Sequence, residues 1–432
     1  MTSILVNSSA SRLNTPTIHR LPNGLTIVAE QVPVEAVNLS LWLGVGSAVE
    51  SDEINGMAHF LEHMIFKGTG RLESGEFERQ IEQRGAVTNA ATSQDYTYYY
   101  ITSAPQDFAE LAPLQIEVVL NAAIPDEAFE RERFVVLEEI RRSEDNPRRR
   151  TYYRSMEAGF DRLPYRRPVL GPTQVIEQLQ PQQMRDFHAT WYRPQSITAS
   201  VVGNLPVEQL IKIVAEGFAQ AEAHQSAPID RCPPEFSQLS AEASFESISR
   251  QEHVDESLQQ ARLVMLWRVP GMADLHQTYA LDVLSSVLSH GRTARLVRDL
   301  REERGLVSGI SVSNMTYIRQ GLFYISAQLP VENLEAVEAA ILEHIHRLHV
   351  EPISAAEIQR VRTLVANRYI FGNETPSDRA SLYGYYQSVI GDLQPAFNYP
   401  AIVQSMDADT LQAAACQYLD PSAYRCVVLK PQ

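Results

Sequence analysis

The sequence predicts an α+β fold built twice: two similar domains, each a mainly antiparallel sheet with helices packed on one face. At 432 residues the chain is too long for one ordinary core. Short apolar or alternating runs bounded by turn residues are interleaved with longer patterns of helical period, as expected for sheet and helix in one domain. The close of the first half also recurs at the end of the second. Tyr192-Arg193-Pro194 followed by the apolar run 197–202 has a counterpart in Tyr418-Leu419-Asp420-Pro421 followed by 424–429. The polar stretch between the halves, with Ala227-Pro228 and Cys232-Pro233-Pro234, reads as a linker. The domains are therefore placed at 1–222 and 243–432, joined by 223–242.

In chain order, Leu21-Pro22-Asn23-Gly24-Leu25 is a hairpin signal leading into the run 25–29. Leu39, Leu41, Leu43 and Val45 alternate as a half-buried strand. Asn55-Gly56 marks a turn, after which Met57, Phe60, Leu61, Met64 and Ile65 recur at helical spacing until Lys67-Gly68 ends the run. A short helix at 76–83, strands at 86–91 and 96–102, and helices at 105–121, 126–143, 151–161 and 182–191 follow. The strand 197–202 closes the half. Within the first of the paired strands, Thr88-Asn89-Ala90-Ala91-Thr92-Ser93 is small and polar where a core strand would be bulky. That composition suits a sheet edge, whether an ordinary exposed one or one that a peptide joins through main-chain hydrogen bonds.

The helix after Asn55-Gly56 carries His59-Phe60-Leu61-Glu62-His63. Positions i and i+4 project from one helix face, so two imidazoles lie one turn apart. Two such nitrogens can bind one zinc ion at about 2.0–2.1 Å each. Glu62 sits beside His63 and one turn from His59, placed to take a proton from a metal-activated water without filling a coordination position. Buried unpaired on a largely apolar helix, these polar groups would be costly, and a metal relieves that cost. The order is that of an inverted zincin peptidase.

A third protein ligand must come from elsewhere, and a carboxylate is usual where water takes the fourth position. The predicted helix 126–143 is rich in glutamates. Glu132, Val135, Val136 and Glu139 fall at i, i+3, i+4 and i+7, a face whose middle pair is apolar, whereas Glu138 aligns with Arg131, Phe134 and Val135. Phase therefore favours Glu139 as ligand, with Glu132 as its supporting acid, and leaves Glu138 as the alternative. A second histidine cluster, Glu343, His344, His346 and His349, has Arg347 among its members and reads as a solvated helix face.

A hydrophobic fraction of 44% with 21% charged residues describes a soluble globular protein, and no apolar stretch reaches the ~18 residues that span a bilayer. The formal net charge of −16 argues against nucleic acid as a partner. It would draw cationic substrates, or simply keep the protein soluble. Cys232, Cys416 and Cys426 form no Cys-x-x-Cys pair and favour a reducing compartment, the cytoplasm or an organelle matrix. Residues 1–22 are read as a lead-in to the first strand.

These motifs together spell out a resemblance. Gly56-Met-Ala-His59-Phe-Leu-Glu62-His63-Met-Ile-Phe-Lys-Gly68, Gly85-Ala-Val-Thr-Asn89-Ala90-Ala-Thr92, Glu132-Arg-Phe-Val-Val-Leu-Glu-Glu139, Asp145-Asn-Pro147, Pro168-Val-Leu-Gly171 and Leu300-Arg301-Glu-Glu-Arg304-Gly305-Leu306 run in order along nearly the whole chain. The chain resembles the pitrilysin-type zinc peptidases, and most closely their mitochondrial processing peptidase-like branch. The resemblance implies a duplicated α+β fold forming half of a clamshell, two chains closing around a chamber, and hydrolysis of peptides or unfolded presequence-like segments. It implies one zinc per chain on His59, His63 and Glu139, Glu62 as general base, and Asn89 and Ala90 on the strand that pairs with substrate. Members complete in themselves carry an arginine followed seven residues later by a tyrosine, both reaching toward substrate. Arg301 fits the arginine, but Ser308 stands at the tyrosine position, which implies a heterodimer with a similar chain. A structural or assembly subunit without hydrolysis is the alternative that the same family offers.

Overall fold

The computed structural model describes residues 15–223 and 239–432, so most of the expected linker, with Cys232, lies outside the described residues. The first half holds β1 (Thr17–Arg20), β2 (Thr26–Gln31), β3 (Val37–Leu43), β4 (Val87–Thr92), β5 (Thr97–Ser103) and β6 (Ile197–Gly203) in the order β1-β2-β6-β3-β5-β4. The second holds β7 (Ser249–Val254), β8 (Ala261–Pro270), β9 (Gly309–Met315), β10 (Gln320–Leu329) and β11 (Arg425–Lys430) in the order β7-β11-β8-β10-β9. In each sheet one pair alone is parallel, β2 with β6 and β7 with β11. Setting β1 aside, the two sheets have the same order and the same parallel pair. The duplication read from the two chain-end patterns is thus a duplication of topology, and β6 and β11 are those two ends.

The helices of the first half are α1 (Met57–Met64), α2 (Glu76–Gln83), α3 (Phe108–Leu120), α4 (Asp126–Asp145), α5 (Pro147–Gly159), α6 (Thr173–Gln178), α7 (Pro181–Trp191) and α8 (Val207–Glu222). Those of the second are α9 (Leu275–Ser289), α10 (Leu334–Val350), α11 (Ala355–Phe371), α12 (Pro376–Val389), α13 (Gln394–Ser405) and α14 (Ala408–Tyr418), with a π-helical segment at Val297–Glu303. Leu25, Ile27, Leu39, Leu41, Phe60, Met64, Phe108 and Ile116 belong to the core between the first sheet and its own helices. Leu263, Met265, Leu281, Leu284, Phe323 and Ile341 are part of its equivalent in the second half.

Every residue of β3 is buried, although its alternation predicted a half-buried strand. The reason lies in the other half. Helix α12 covers the second face of the first sheet, packing Ala380 and Tyr383 on Val28, Val32 and Val202. Gly384 comes so close to Trp42 that a Cβ there would meet the indole at 2.1 Å. Helix α5 does the same in return, setting Met156 and Ala158, with Phe160 just beyond its end, on Val264, Leu266, Leu322, Val427 and Leu429. These are corresponding elements, each the third helix after the fifth strand of the first sheet or its counterpart β10. The halves therefore exchange one helix each. Polar ties accompany the exchange: buried Glu30 accepts from Tyr383 at 2.8 Å and from Arg379, and Asp95 accepts from the Ile318 amide at 2.8 Å and Tyr165 at 3.0 Å.

Helix α5 begins at Pro147, four residues before the predicted start. Asn146 caps it, its Oδ1 accepting from the Arg148 and Arg149 amides, with proline at the first helical position. Three arginines fill this first turn, so the apolar period on which the prediction relied starts only after it. No helix among the described residues is long and apolar enough to cross a membrane.

Candidate metal centre

The site is assembled from three elements. Helix α1 starts at Gly56, whose φ of 98° is the left-handed conformation that the Asn55-Gly56 pair predicted. A Cβ at Gly56 would lie 2.6 Å from the Leu170 carbonyl oxygen, so only glycine fits. The first turn is held by a residue that the motif does not contain. Glu50, buried, accepts from the Gly56 amide at 2.8 Å, the Ala58 amide at 2.7 Å and the Asn55 carboxamide at 2.9 Å. A carboxylate at a helix N-terminus satisfies donors that the helix leaves unpaired.

Burial raises Glu50 to about 7 against the pull of its bonds from Ala58, Asn55 and Gly56 and of Arg167. The folded chain thus takes up a proton between about pH 7 and 4.5 that the unfolded chain does not, and this group's cost to stability shrinks as pH falls through that window. Glu50→Ala leaves three donors without their acceptor and should destabilise the protein by about 1–3 kcal/mol. Thermal melts of both forms at pH 7.5 and 5.5 check this: the gap should be wider at the lower pH.

From α1, His59 and His63 face α4. Nε2 of His59 is 3.4 Å and Nε2 of His63 3.5 Å from Oε2 of Glu139, and the three donor atoms lie within 4.8 Å of one another. This is the one such group of metal-binding side chains among the described residues. Glu138 turns away and pairs with Arg141 and Arg142, which hold it down to about 2. Glu139, the residue favoured by helical phase, is therefore the one brought to the imidazoles. Helical phase holds at the ends of this face and fails in its middle. Val136 is fully buried, but Val135 is 50% exposed beside Phe134 at 70%.

Glu132 accepts from His63 Nδ1 at 3.0 Å and is itself held by Lys67 at 2.7 Å. It supports His63, whereas the expectation made it the partner of Glu139, and it lies outside the donor cluster. Burial depresses the basicity of His59 strongly, with His63 adding to the effect, so His59 is a neutral imidazole. Burial also opposes the charge on His63, but the hydrogen bonds it donates to Glu139 and Glu132 outweigh it and raise its pKa. The His63 bond, with the charges of His63 and Arg149, holds Glu139 low against partial burial. Two imidazole nitrogens and one ionised carboxylate, with an outer carboxylate fixing one ring, fit a zinc ion that keeps an open position.

Glu62 lies outside the donor set and faces the same cavity. Burial raises its pKa, although the Thr92 hydroxyl donates to it at 2.5 Å. Thr92 ends β4, the edge strand of the sheet, so the strand expected at an edge is at one and touches the site. Ala90 and Thr92 line the cavity, of about 640 Å³, with His59, Glu62 and Glu139. The Ala90 amide donates to the Asn89 carboxamide oxygen of its own strand, at 2.9 Å. Arg301 does not line this cavity. It is exposed and binds its neighbour Glu302, while Ser308 donates to Gln260 at 2.8 Å and to the Gln328 carbonyl at 3.1 Å.

Thr92 and Glu50 escaped the reading of the motifs. The first was legible only as a small polar strand residue, and the second shows no signal beyond an acid shortly before a helix. The predicted solvated face at 343–349 needs one correction. His344 is buried and bonded to Asp299 at 3.0 Å, and His349 to the Ala415 carbonyl, because this face of α10 packs on other elements of its half. Cys416 and Cys426 are free.

A duplicated α+β chain with an inverted zincin helix and a distal glutamate defines a class, and comparison gives the family. The profile described as insulinase, peptidase family M16, matches residues 26–173, and that of the M16 inactive domain matches 178–365. The chain belongs to the M16 peptidase family. It is 26% identical to an uncharacterized zinc protease of Rickettsia bellii over 92% of this chain and 93% of that one. An uncharacterized zinc protease of Mycobacterium leprae is 28% identical over 95% and 91%. A solved protease from Helicobacter pylori superposes with a TM-score of 0.90 at 25% identity, covering 97% of this chain and all of the other.

Proposed function

We propose that this chain is a zinc-dependent endopeptidase that hydrolyses peptides or unfolded, presequence-like segments within a closed chamber, of the processing peptidase-like branch. The observation that carries this reading is the meeting of His59, Glu139, Glu62 and the open edge of β4 in one cavity, with His63 completing the donor cluster. Zinc bound there would supply the Lewis acidity that polarises a scissile carbonyl and acidifies water. His59 and His63 would hold it through Nε2 and Glu139 through Oε2. Glu132, fixed by Lys67, keeps the proton of His63 on Nδ1 and the ring in place. Glu62 takes the proton of the attacking water and passes it to the leaving amine. Strand β4 holds substrate extended: the Ala90 amide exchanges its Asn89 partner for a substrate carbonyl, as in strand addition generally. Folded proteins offer no free strand and should resist cleavage. The inactive-domain match over the second half supports one metal site per chain, in the first domain. The non-hydrolytic alternative would leave the intact motif and its supporting Glu132 without purpose. The test is cleavage of unstructured peptides by the purified chain, with chelator and with zinc restored; no zinc-dependent cleavage by the chain or its dimer would overturn the reading.

Arg301 belongs to the same proposal. Lying away from its own cavity, it would meet substrate only from a second chain, which predicts a dimer. Ser308 is too short to supply a tyrosine's contact, so a homodimer would lack that donor, and a heterodimer with a similar chain carrying the arginine–tyrosine pair would regain it. The chain alone should turn over about 10²–10³-fold more slowly than the mixture. Assays of the chain, of Ser308→Tyr, and of the chain with a paralogue lacking the zinc motif measure this. Full activity of the chain alone, unchanged by either addition, would refute the partner.

A further inference from the structure

From the charges lining the site we infer that Arg149 forms a subsite for a substrate carboxylate beside the scissile bond. This inference rests on the endopeptidase reading and narrows its substrate. Apart from the metal cluster and Glu62, the described residues that line the cavity include two charged ones, Arg142 and Arg149, and no further carboxylate. Arg142 is neutralised by Glu138 at 3.1 Å. Among the described residues no ion pair or hydrogen bond engages the Arg149 guanidinium, which is exposed in the cavity and whose charge reaches Glu139. The net charge of −16 predicted cationic substrates, but the wall that a substrate meets carries the opposite sign.

The position of Arg149 has no structural explanation of its own. A cation in the first turn of a helix opposes the helix dipole, so Pro147-Arg148-Arg149-Arg150 is unfavourable for α5. Arg150 is accounted for by Asp255 at 2.7 Å and by the backbone oxygen of Glu144. Arg149 serves neither the helix nor the junction between the halves. It stands on the wall formed by the turn from α4 to α5, whereas Ala90–Thr92 form the wall of β4. A peptide laid along β4 sends alternate side chains to opposite sides, so one residue near the scissile bond faces Arg149. A planar guanidinium binds a carboxylate through two parallel hydrogen bonds, which a lysine or an amide in the substrate cannot reproduce.

The carboxylate could be a Glu or Asp side chain or the substrate's own C-terminus. The test uses matched unstructured peptides with Glu, Gln or Lys at successive positions, each with a free and an amidated C-terminus. Internal Glu should raise kcat/KM over Gln by about 10- to 100-fold at one position, with Lys lowest. Arg149→Ala should erase this order and Arg149→Glu should reverse it, and both should melt like the parent. Binding of the same peptides to the Glu62→Gln protein, followed by fluorescence anisotropy, should give the same ranking without turnover. A ranking set by the free C-terminus would support the subsite with the other source of carboxylate. Equal rates and equal binding for Glu and Lys, or an order unchanged by Arg149→Ala, would overturn it. Ranked binding with no cleavage in any parent assay would leave the subsite standing and remove the peptidase reading.

Discussion

Glu62→Gln should bind zinc like the parent and lose about 10²–10⁴-fold in turnover, the range that a positioned general base contributes. The substitution is nearly isosteric, and the new carboxamide oxygen could still accept from Thr92, so the local fold has little reason to change. Glu62 is also outside the donor set of His59, His63 and Glu139, so no coordination bond is lost. What disappears is, among the described residues lining the cavity, the one carboxylate free of a metal-binding role. Its pKa is raised by burial among apolar helix neighbours, which makes it a stronger proton acceptor than a solvated glutamate. Metal analysis of the purified variant together with peptide turnover separates the two roles. More than a few per cent of residual activity would refute the assignment of Glu62, and loss of zinc would make it a ligand or a determinant of the helix.

Much of the site was legible because it depends on local periodicity. The i, i+4 pair His59 and His63 needs only a helix, and Asn55-Gly56 with the apolar residues 57, 60, 61 and 64 specifies one. Glu132 and Glu139 share a face by the same arithmetic. The edge position of β4 followed from its small polar residues, since an edge strand buries little. Features that depend on contacts between distant segments were not legible. The alternation of β3 says that one face is apolar, and Trp42 on the other face looks like a lone exception until α12, more than 300 residues later, covers it. The cap from Glu50 requires the chain to fold back on itself between 50 and 56, for which no pattern rule exists. Arg149 was hidden for a different reason. An arginine in an arginine run reads as solvated surface, and only the corner between α4 and α5 turns it toward the metal centre.

Glu132, Glu138 and Glu139 of α4 should give a graded series when each is replaced by glutamine, and the grading is the strongest test of the centre. Glu139→Gln exchanges an ionised oxygen donor, held low by His63, for a neutral amide, and zinc affinity should fall by more than about 100-fold, beyond the 10–100-fold typical of a lost outer partner. Glu132→Gln should fall within that 10–100-fold range, since it removes the charge behind His63 Nδ1 and frees Lys67 while leaving all three donors. Glu138→Gln should leave affinity unchanged, because that carboxylate is exposed and engaged only with Arg141 and Arg142. Competition with a chromogenic chelator gives the three affinities, and melting curves without metal check that each variant folds. The same ordering should appear as zinc-dependent stabilisation, because a ligand that binds only the folded state raises stability with its affinity. Retention of metal by Glu139→Gln with loss in Glu138→Gln would mean that α4 is rotated by one residue from the arrangement described. Equal loss in Glu132→Gln and Glu139→Gln would make Glu132 a direct ligand, and the open position that a hydrolytic water needs would then be filled.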